Sequence, residues 1–187
     1  LRPILLGGEH SISYPTLKGL KKKFDIEDTT VVHLDAHMDM IDQYQGEKCS
    51  HATVMRRIAE LNPKSIVQLG IRSASKEEVS FAESQQSIVG FSPSDFENFD
   101  NIKKELLSIE GNVYISIDCD VFDTKYLPGV GNPVPNGISL IHMENILKIL
   151  STKNVIGFDV VELSSNKLGD PSAINAAKIV YDFLTLI

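Results

Sequence analysis

Directly after a mostly apolar segment, residues 31–34, the sequence places a metal-binding side chain at every second position. Asp35, His37 and Asp39 offer two carboxylates and one imidazole within five residues. Carboxylates at the end of a buried strand are costly unless a cation compensates their charge. The neighbouring apolar and small residues supply no evident counter-charge, so the pattern predicts a metal site.

Three other segments carry acidic or histidine side chains where a predicted strand ends. They are Gly7-Gly8-Glu9-His10-Ser11, Ser116-Ile117-Asp118-Cys119-Asp120 and Asp159-Val160-Val161-Glu162. In an open parallel sheet, functional side chains gather at the carboxyl edge of the strands. We therefore expect the four strand ends to contribute to one site.

Six side chains from three of these strand ends are the candidate metal ligands: His10, Asp35, His37, Asp39, Asp118 and Asp120. Because four of them are carboxylates, one divalent ion would leave negative charge uncompensated, whereas two ions would neutralise the set. Carboxylate-rich ligation with two imidazoles and no thiolate favours Mn²⁺ over structural Zn²⁺. The residues therefore predict two divalent ions of the hard to borderline class, such as Mn²⁺.

The elements that must position these residues alternate short apolar runs with amphipathic stretches. Predicted strands are Ile4 to Leu6, Thr30 to Asp35, Ser65 to Ile71, Ile88 to Phe91, Asn112 to Asp118 and Val155 to Leu163. Predicted helices are Tyr14 to Phe24, Ala52 to Leu61, Lys76 to Ser84, Asn101 to Ile109, Leu140 to Leu150 and Ser172 to Leu186. This alternation predicts an α/β fold, with a mainly parallel sheet covered on both faces.

The spacing of Asp35 and Asp39 makes a further demand on the backbone. On an extended strand they would lie about 13 Å apart, at about 3.3 Å per residue. Paired metal ions in hydrolases lie only about 3.5–4 Å apart. We therefore expect the strand to end near Asp35 and the segment from Ala36 to Asp39 to loop over the sheet edge.

Length and composition indicate one domain, residues 1–187, of an ordinary globular protein. A net charge of −7 argues against a nucleic-acid or anionic-membrane partner. Two cysteines, Cys49 and Cys119, make no disulfide framework and favour a reducing compartment. No apolar run approaches membrane-spanning length, so we expect a cytoplasmic protein. The chain opens with Leu1 and enters a strand almost at once, which suggests a missing upstream portion.

The motifs ending at Ser11, Asp39 and Asp120, in that order along the chain, resemble those of the ureohydrolases, which include arginase, agmatinase and formimidoylglutamase. The resemblance extends from Pro3 to the C-terminus. It implies the three-layer α/β/α arginase-like fold, a binuclear Mn²⁺ site and a homo-oligomer, a trimer or a hexamer. It also implies that about a third of the family's fold, upstream of the first motif, is absent here.

The resemblance assigns the ligands to two ions. One ion would be held by His10 and Asp39 and the other by His37 and Asp120, with Asp35 and Asp118 bridging both. A hydroxide between the ions would attack the guanidinium carbon of the substrate, and Asp39 would also orient it.

Two more catalytic and substrate-binding residues follow from the same resemblance. Glu162 falls where the family binds the guanidinium group, which it would hold by a charge-assisted contact. His51, in Ser50-His51-Ala52-Thr53, occupies the position of the proton-shuttling histidine and would protonate the departing amine. One departure is Glu9, which stands where many relatives have aspartate.

Agmatine, hydrolysed to putrescine and urea, is the expected substrate, which would place the chain in polyamine biosynthesis. The segment before His51 does not match the arginase loop that holds an α-carboxylate and α-amine, and the run from Ser50 to Arg57 is similar to agmatinases. An acidic entrance formed by Asp42 and Glu47 would suit a cation. Guanidinobutyrase, arginase and formimidoylglutamase activities remain open, as does a catalytically inactive binding or scaffold paralogue.

Several neighbouring polar residues are expected to be structural. His33 should occupy the core or support the ligands, Asp159 should be a buried structural acid, and Cys119 should be buried as an apolar residue. Arg72 is expected to pair with an internal acid rather than with the substrate, and His142 should be structural.

Overall fold

Six parallel strands carry the predicted site residues to one edge of a single sheet. The computed structural model describes residues 2–165 and 167–187. The strands lie in the order β1-β6-β5-β2-β3-β4, and every pairing is parallel. Their bounds are β1 Ile4–Leu6, β2 Thr29–Leu34, β3 Ser65–Leu69, β4 Ile88–Phe91, β5 Asn112–Asp118 and β6 Asn154–Val161.

Helices cover both faces of this sheet. Their bounds are α1 Ser13–Leu20, α2 Val54–Ala59, α3 Lys76–Ser84, α4 Asp100–Ser108, α5 Leu140–Leu150 and α6 Pro171–Leu186. Side chains of α1 and α2 pack on one face with Val31 of β2, whereas α4, α5 and α6 pack on the other with Val32. Because successive strand residues point to opposite faces, one strand serves both layers. This arrangement confirms the predicted three-layer α/β/α fold.

β2 is the central element of the sheet, and it is buried along its whole length. It pairs with β3 on one side and β5 on the other. Strands buried on both faces read as nearly continuous apolar runs, as this one does. The central position of β2 brings Asp35, the residue directly after its end, into the middle of the carboxyl edge.

Several strands end earlier than predicted because the backbone turns sharply. β3 ends at Leu69 rather than Ile71, since Gly70 adopts a φ of +93°. β6 ends at Val161 rather than Leu163, since Glu162 has a φ of 62°. A left-handed residue cannot continue a strand. β2 ends at Leu34, so Asp35 is the first residue of the loop, as the ligand spacing required.

Two helices are shorter than predicted. α1 ends at Leu20 rather than Phe24, because Lys22 and Lys23 turn back onto carbonyls three residues earlier and tighten the last turn. The segment before α2 is a short 3₁₀ helix, His51–Thr53, in which the Ser50 N–H donates to Thr53 Oγ1 at 2.9 Å. Three other 3₁₀ segments were not predicted: His10–Ile12, Pro93–Asn98 and Cys119–Val121.

In the described part of the chain, no helix has both the length and the apolar content that crossing a membrane requires.

Candidate metal centre

The four predicted strand ends lie side by side. β1, β6, β5 and β2 are consecutive in the sheet, and all four strands run in the same direction. Their carboxyl ends therefore face one another at a single edge. The structure brings all six predicted ligands together there.

His10 is the centre of the first group of side chains. Its Nδ1 atom lies 3.2 Å from Asp35 Oδ2, 3.3 Å from Asp39 Oδ2 and 3.2 Å from Asp118 Oδ2. His10 is fully buried, and this Nδ1 atom has no hydrogen-bond partner among the described residues. A buried imidazole nitrogen facing three carboxylate oxygens is the arrangement expected where a cation binds between them.

His37 is the centre of the second group. Its Nδ1 atom lies 2.9 Å from Asp120 Oδ2 and 3.4 Å from Asp35 Oδ1. Asp35 thus uses Oδ2 in the first group and Oδ1 in the second, the geometry that a bridging carboxylate needs. Potential ligand atoms within 4.8 Å of one another fall into two sets that share Asp35: one contains His10, His33 and Asp39, and the other contains His37 and Asp120.

Asp118 joins the first group only. Its Oδ2 atom faces His10, whereas its Oδ1 atom accepts a hydrogen bond from the Asp120 N–H at 2.8 Å. One bridging carboxylate is therefore apparent from distances, and a bridging role for Asp118 stays a prediction.

The loop after β2 curls as the sequence required. Asp39 has a left-handed φ of 56°, and its carbonyl accepts hydrogen bonds from the N–H groups of Met55 and Arg56 in the first turn of α2. The Ala36 N–H donates to Asp120 Oδ1 at 3.0 Å. The first N–H groups of a helix have no partner within the helix, and here the Asp39 carbonyl accepts from two of them at the N-terminus of α2. These bonds hold Asp39 back beside Asp35.

His33 supports Asp35 through a hydrogen-bond chain that fixes its tautomer. The Met38 carbonyl can only accept, so the Gln68 amide nitrogen that contacts it at 2.9 Å must donate. The same nitrogen lies 3.0 Å from His33 Nδ1, which therefore accepts and carries no proton. The proton must then be on Nε2, which donates to Asp35 Oδ2 at 2.9 Å. A protonated nitrogen cannot bind a metal, so His33 orients Asp35, as predicted, and is not a ligand itself.

A second chain orients His10. Ser116 Oγ donates to Asp159 Oδ1 at 2.8 Å, so it accepts from His10 Nε2 at 2.8 Å. The Tyr114 hydroxyl donates to the other oxygen of Asp159, which is fully buried. With Nε2 donating, the lone pair of a neutral His10 lies on Nδ1 and faces the carboxylates. Asp159 is therefore the buried structural acid that the sequence suggested.

The proximity of so many carboxylates perturbs their ionisation. Burial, followed by the charge of Asp35, raises the pKa of Asp39 to about 7 and raises the pKa of Asp118 well above its usual value. Hydrogen bonds to Asp120 and Asp35 raise the pKa of His37 to about 11. Without a metal, the cluster is therefore stabilised by bound protons, which a divalent cation would displace.

The donor set fits two divalent cations. It supplies four carboxylates and two imidazoles in two contiguous groups, and it includes no thiolate. Within the described residues, the buried His10 Nδ1 atom has no hydrogen-bond partner. Oxygen and imidazole ligands of this kind suit hard to borderline ions.

A cavity of about 180 Å³ opens beside these groups. It brings His51 and Glu162 to the same space as the predicted ligands. Its lining residues are His37, Asp39, Tyr44, His51, Ala52, Asp118, Asp120, Asn132 and Glu162.

Glu162 is held in a strained position at this cavity. Its φ of 62° is unusual for a non-glycine residue and costs on the order of 1–3 kcal/mol. The conformation is maintained by the Glu162 N–H, which donates to the Gly8 carbonyl at 2.9 Å, and by Oε1, which accepts from the His10 N–H at 2.7 Å. These bonds join the loop after β1 to the end of β6.

Two sequence-based expectations fail. Arg72 does not pair with an internal acid: its guanidinium donates to main-chain carbonyls, including those of Asp120 and Val134, each at 2.7 Å. Asp42 and Glu47 do not line the cavity, and Asp42 instead pairs with Arg57 at 2.7 Å. In both places the main chain or a nearby cation provided a partner that the sequence did not reveal.

Four residues of the site have roles that were not predicted from the sequence, namely Gln68, Ser116, Tyr44 and Asn132. Gln68 could have been found, because it is a polar residue inside the apolar strand β3 and pairs in register with His33. Ser116 precedes Asp118 by two residues and so shares its face of β5. Tyr44 and Asn132 lie in loops, where no periodic pattern signals their position.

Known proteins resemble this chain in sequence and in fold. The family model described as "Arginase family" matches residues 1–185. A Methanothermus fervidus protein, described only as an uncharacterized 32.2 kDa protein in the hmfB 3'region, is 50% identical over 99% of this chain and 64% of its own length. An agmatinase from Pyrococcus horikoshii is 42% identical over 96% of this chain and 60% of its own length.

Among solved structures, a putative agmatinase from Clostridium difficile superposes with a TM-score of 0.88 at 34% identity, covering 100% of this chain and 67% of that one. The chain thus spans less than two thirds of the length of the two sequence relatives.

Replacing Gln68 with leucine should weaken Mn²⁺ binding. The substitution keeps a similar volume but removes the donors that fix His33, so His33 no longer holds Asp35 in place. Loss of such a supporting hydrogen bond typically costs about 10- to 100-fold in metal affinity. Titration calorimetry with Mn²⁺ would measure it, with the exposed Gln86→Leu as the matched control. Equal affinities for the two variants would contradict the role of Gln68.

Protein stripped of metal with a chelator should lose thermal stability as the pH rises from about 7.5 to about 9.5. In that range folded His37, with a pKa of about 11, keeps a proton that an unfolded histidine, with an ordinary pKa of 6.5, has lost. The folded state binds more protons, so its free energy of unfolding falls with increasing pH. Circular dichroism melts would measure this, and His37→Asn should flatten the slope. A melting temperature that rises over this range in the stripped protein would exclude a protonated His37.

Proposed function

This chain belongs to the arginase family, and on that premise we propose that it hydrolyses a guanidino compound, with agmatine as substrate and putrescine and urea as products. The observation that carries this proposal is the convergence of two histidine–carboxylate groups that share Asp35, beside a cavity that also contains His51 and Glu162.

The six ligands would hold two Mn²⁺ ions in the two groups described above. When bound, such ions lower the pKa of water enough to supply a nucleophile near neutral pH. The chain's own residues would do the rest. Asp39, which lines the cavity, would orient the attacking group.

Glu162 is suited to bind the guanidinium group. Its Oε1 atom is fixed by the His10 N–H, and no hydrogen bond from the described residues engages Oε2. One carboxylate oxygen is therefore anchored and the other is available to a cation in the cavity. Because the anchor is the main chain of a metal-ligand residue, the substrate position would be set relative to the metal centre.

His51 is suited to protonate the departing amine. It lines the same cavity as Glu162, and its side chain is 34% exposed, so it can exchange protons with solvent. A positioned histidine typically contributes about 10²- to 10⁴-fold to a proton-transfer step.

The charge of the cavity favours agmatine over its carboxylate-bearing relatives. Among its described lining residues, Asp39, Asp118 and Asp120 would be neutralised by the two metal ions, which leaves Glu162 as the uncompensated charge, with no lysine or arginine beside it. Arginine, guanidinobutyrate and formimidoylglutamate each carry a carboxylate that would enter without a partner, which is costly. Agmatine carries a cation at both ends. A cytoplasmic location, a role in putrescine biosynthesis and a trimeric or hexameric assembly are part of the same proposal.

Urea release from a panel of agmatine, arginine, guanidinobutyrate and formimidoylglutamate after Mn²⁺ loading tests the proposal directly, with formamide release measured for the last compound. Agmatine should give the highest kcat/KM. No product from any of them with Mn²⁺ bound would overturn the enzymatic proposal and favour a non-catalytic binding paralogue.

His51→Ala should keep the metal content of the unaltered protein and lose about 10²- to 10⁴-fold in kcat with agmatine. His142→Ala is the matched control, since that histidine packs against Phe96 outside the cavity and should leave turnover unchanged. Loss of metal in His51→Ala would reassign His51 to the metal centre.

A further inference from the structure

Glu9 carries a contact that the proposed chemistry has not used. Its Oε1 atom accepts two hydrogen bonds from His51, one from the backbone N–H at 2.7 Å and one involving Nδ1 at 3.0 Å. Its Oε2 atom accepts from the Ser11 N–H at 3.1 Å. The carboxylate is therefore itself held in place while it contacts both the main chain and the ring of the proposed proton donor.

We propose that Glu9 is the positioning residue for His51: its carboxylate selects the ring tautomer and orientation in which Nε2 is the atom that exchanges a proton with the substrate. This inference rests on the proposed role of His51 as the proton donor.

The tautomer follows from the chemistry of the two partners. An ionised carboxylate only accepts hydrogen bonds, so the His51 nitrogen that contacts it must carry the proton. With Nδ1 protonated, the neutral ring has its lone pair on Nε2, and the charged ring has its transferable proton there. The Tyr44 ring packs edge-on against the His51 ring, with 5.1 Å between the ring centroids, and this contact further limits rotation of the His51 ring.

The position of Glu9 in the chain explains why this contact matters. Glu9 precedes His10, and it caps the 3₁₀ segment that begins at His10. One peptide unit therefore connects the contact on His51 to a metal-ligand residue. The position of the proton donor is thus fixed relative to the metal centre by this short link, rather than by the long loop that precedes His51.

A double-mutant cycle tests whether Glu9 acts through His51. Glu9→Ala should lower kcat for agmatine by about tenfold or more, with a change in KM of less than about twofold. It should cause almost no additional loss in a His51→Ala background, because the group it positions is absent. Glu9→Gln should retain more activity than Glu9→Ala, since its amide oxygen can still accept both hydrogen bonds. The exposed Glu110→Ala, at the opposite edge of the sheet, is the matched control.

A spectroscopic measurement separates this inference from the proposed activity. In ¹⁵N-histidine-labelled protein loaded with diamagnetic Zn²⁺, the ring shifts of His51, assigned by their loss in His51→Ala, should show a protonated Nδ1. In Glu9→Ala they should show a mixture of tautomers, with unchanged metal content.

An Nε2-protonated His51 in the unaltered protein, or additive losses of kcat in the double mutant, would overturn the role of Glu9. Failure of the unaltered protein to release urea would instead overturn the proposed function, and the ring shifts would still report the tautomer.

Discussion

Mutual repulsion among carboxylates that the fold has buried together is the constraint on which this structure depends. Asp35, Asp39, Asp118 and Asp120 are each at most 6% exposed and gather around two histidines. Removing one carboxylate from water without a partner is already unfavourable, and several in contact are more so. This repulsion favours bound protons: the pKa values of three of the acids and of both histidines lie above their ordinary values, namely those of Asp39, Asp118, Asp120, His10 and His37. Two divalent cations would relieve it, and the hydrogen bonds that His33 donates to Asp35 and that His10 donates to Ser116 hold the ligands in position for them.

The fold concentrates this charge because the strands end at, or just before, the acidic and histidine residues of the site. Each of the four site strands pairs in parallel with a neighbour, so their last residues meet without any long excursion of the chain. Left-handed residues at Asp39 and Glu162 then turn the backbone sharply, which places side chains over the sheet edge instead of along it. The strain at these two residues is maintained by main-chain hydrogen bonds to α2 and to the loop after β1. Local strain at a site that is otherwise rigid is typical of functional positions.

The sequence predicted the sheet, the helices and the six converging residues because these depend on periodicity and on strand ends. Alternating apolar runs and helices specify a parallel sheet, and acids after four such runs must share an edge. It did not predict where β3 and β6 end, because those limits are set by single residues with unusual backbone angles. It also did not predict where α1 stops, because that limit is set by the hydrogen bonds that tighten its last turn. The sequence also did not predict the partners of Arg72 or the contact between Glu9 and His51. Each of these contacts joins loops that are distant in the chain, and no periodic pattern of residues signals it.

The central claim is that these six side chains surround two cations, and anomalous diffraction at the manganese edge from crystals soaked in Mn²⁺ tests it most directly. Two separate peaks per chain are expected, one beside His10 and Asp39 and the other beside His37 and Asp120. Asp35 and Asp118 should lie between the two peaks. A single peak, or peaks away from these residues, would contradict this claim.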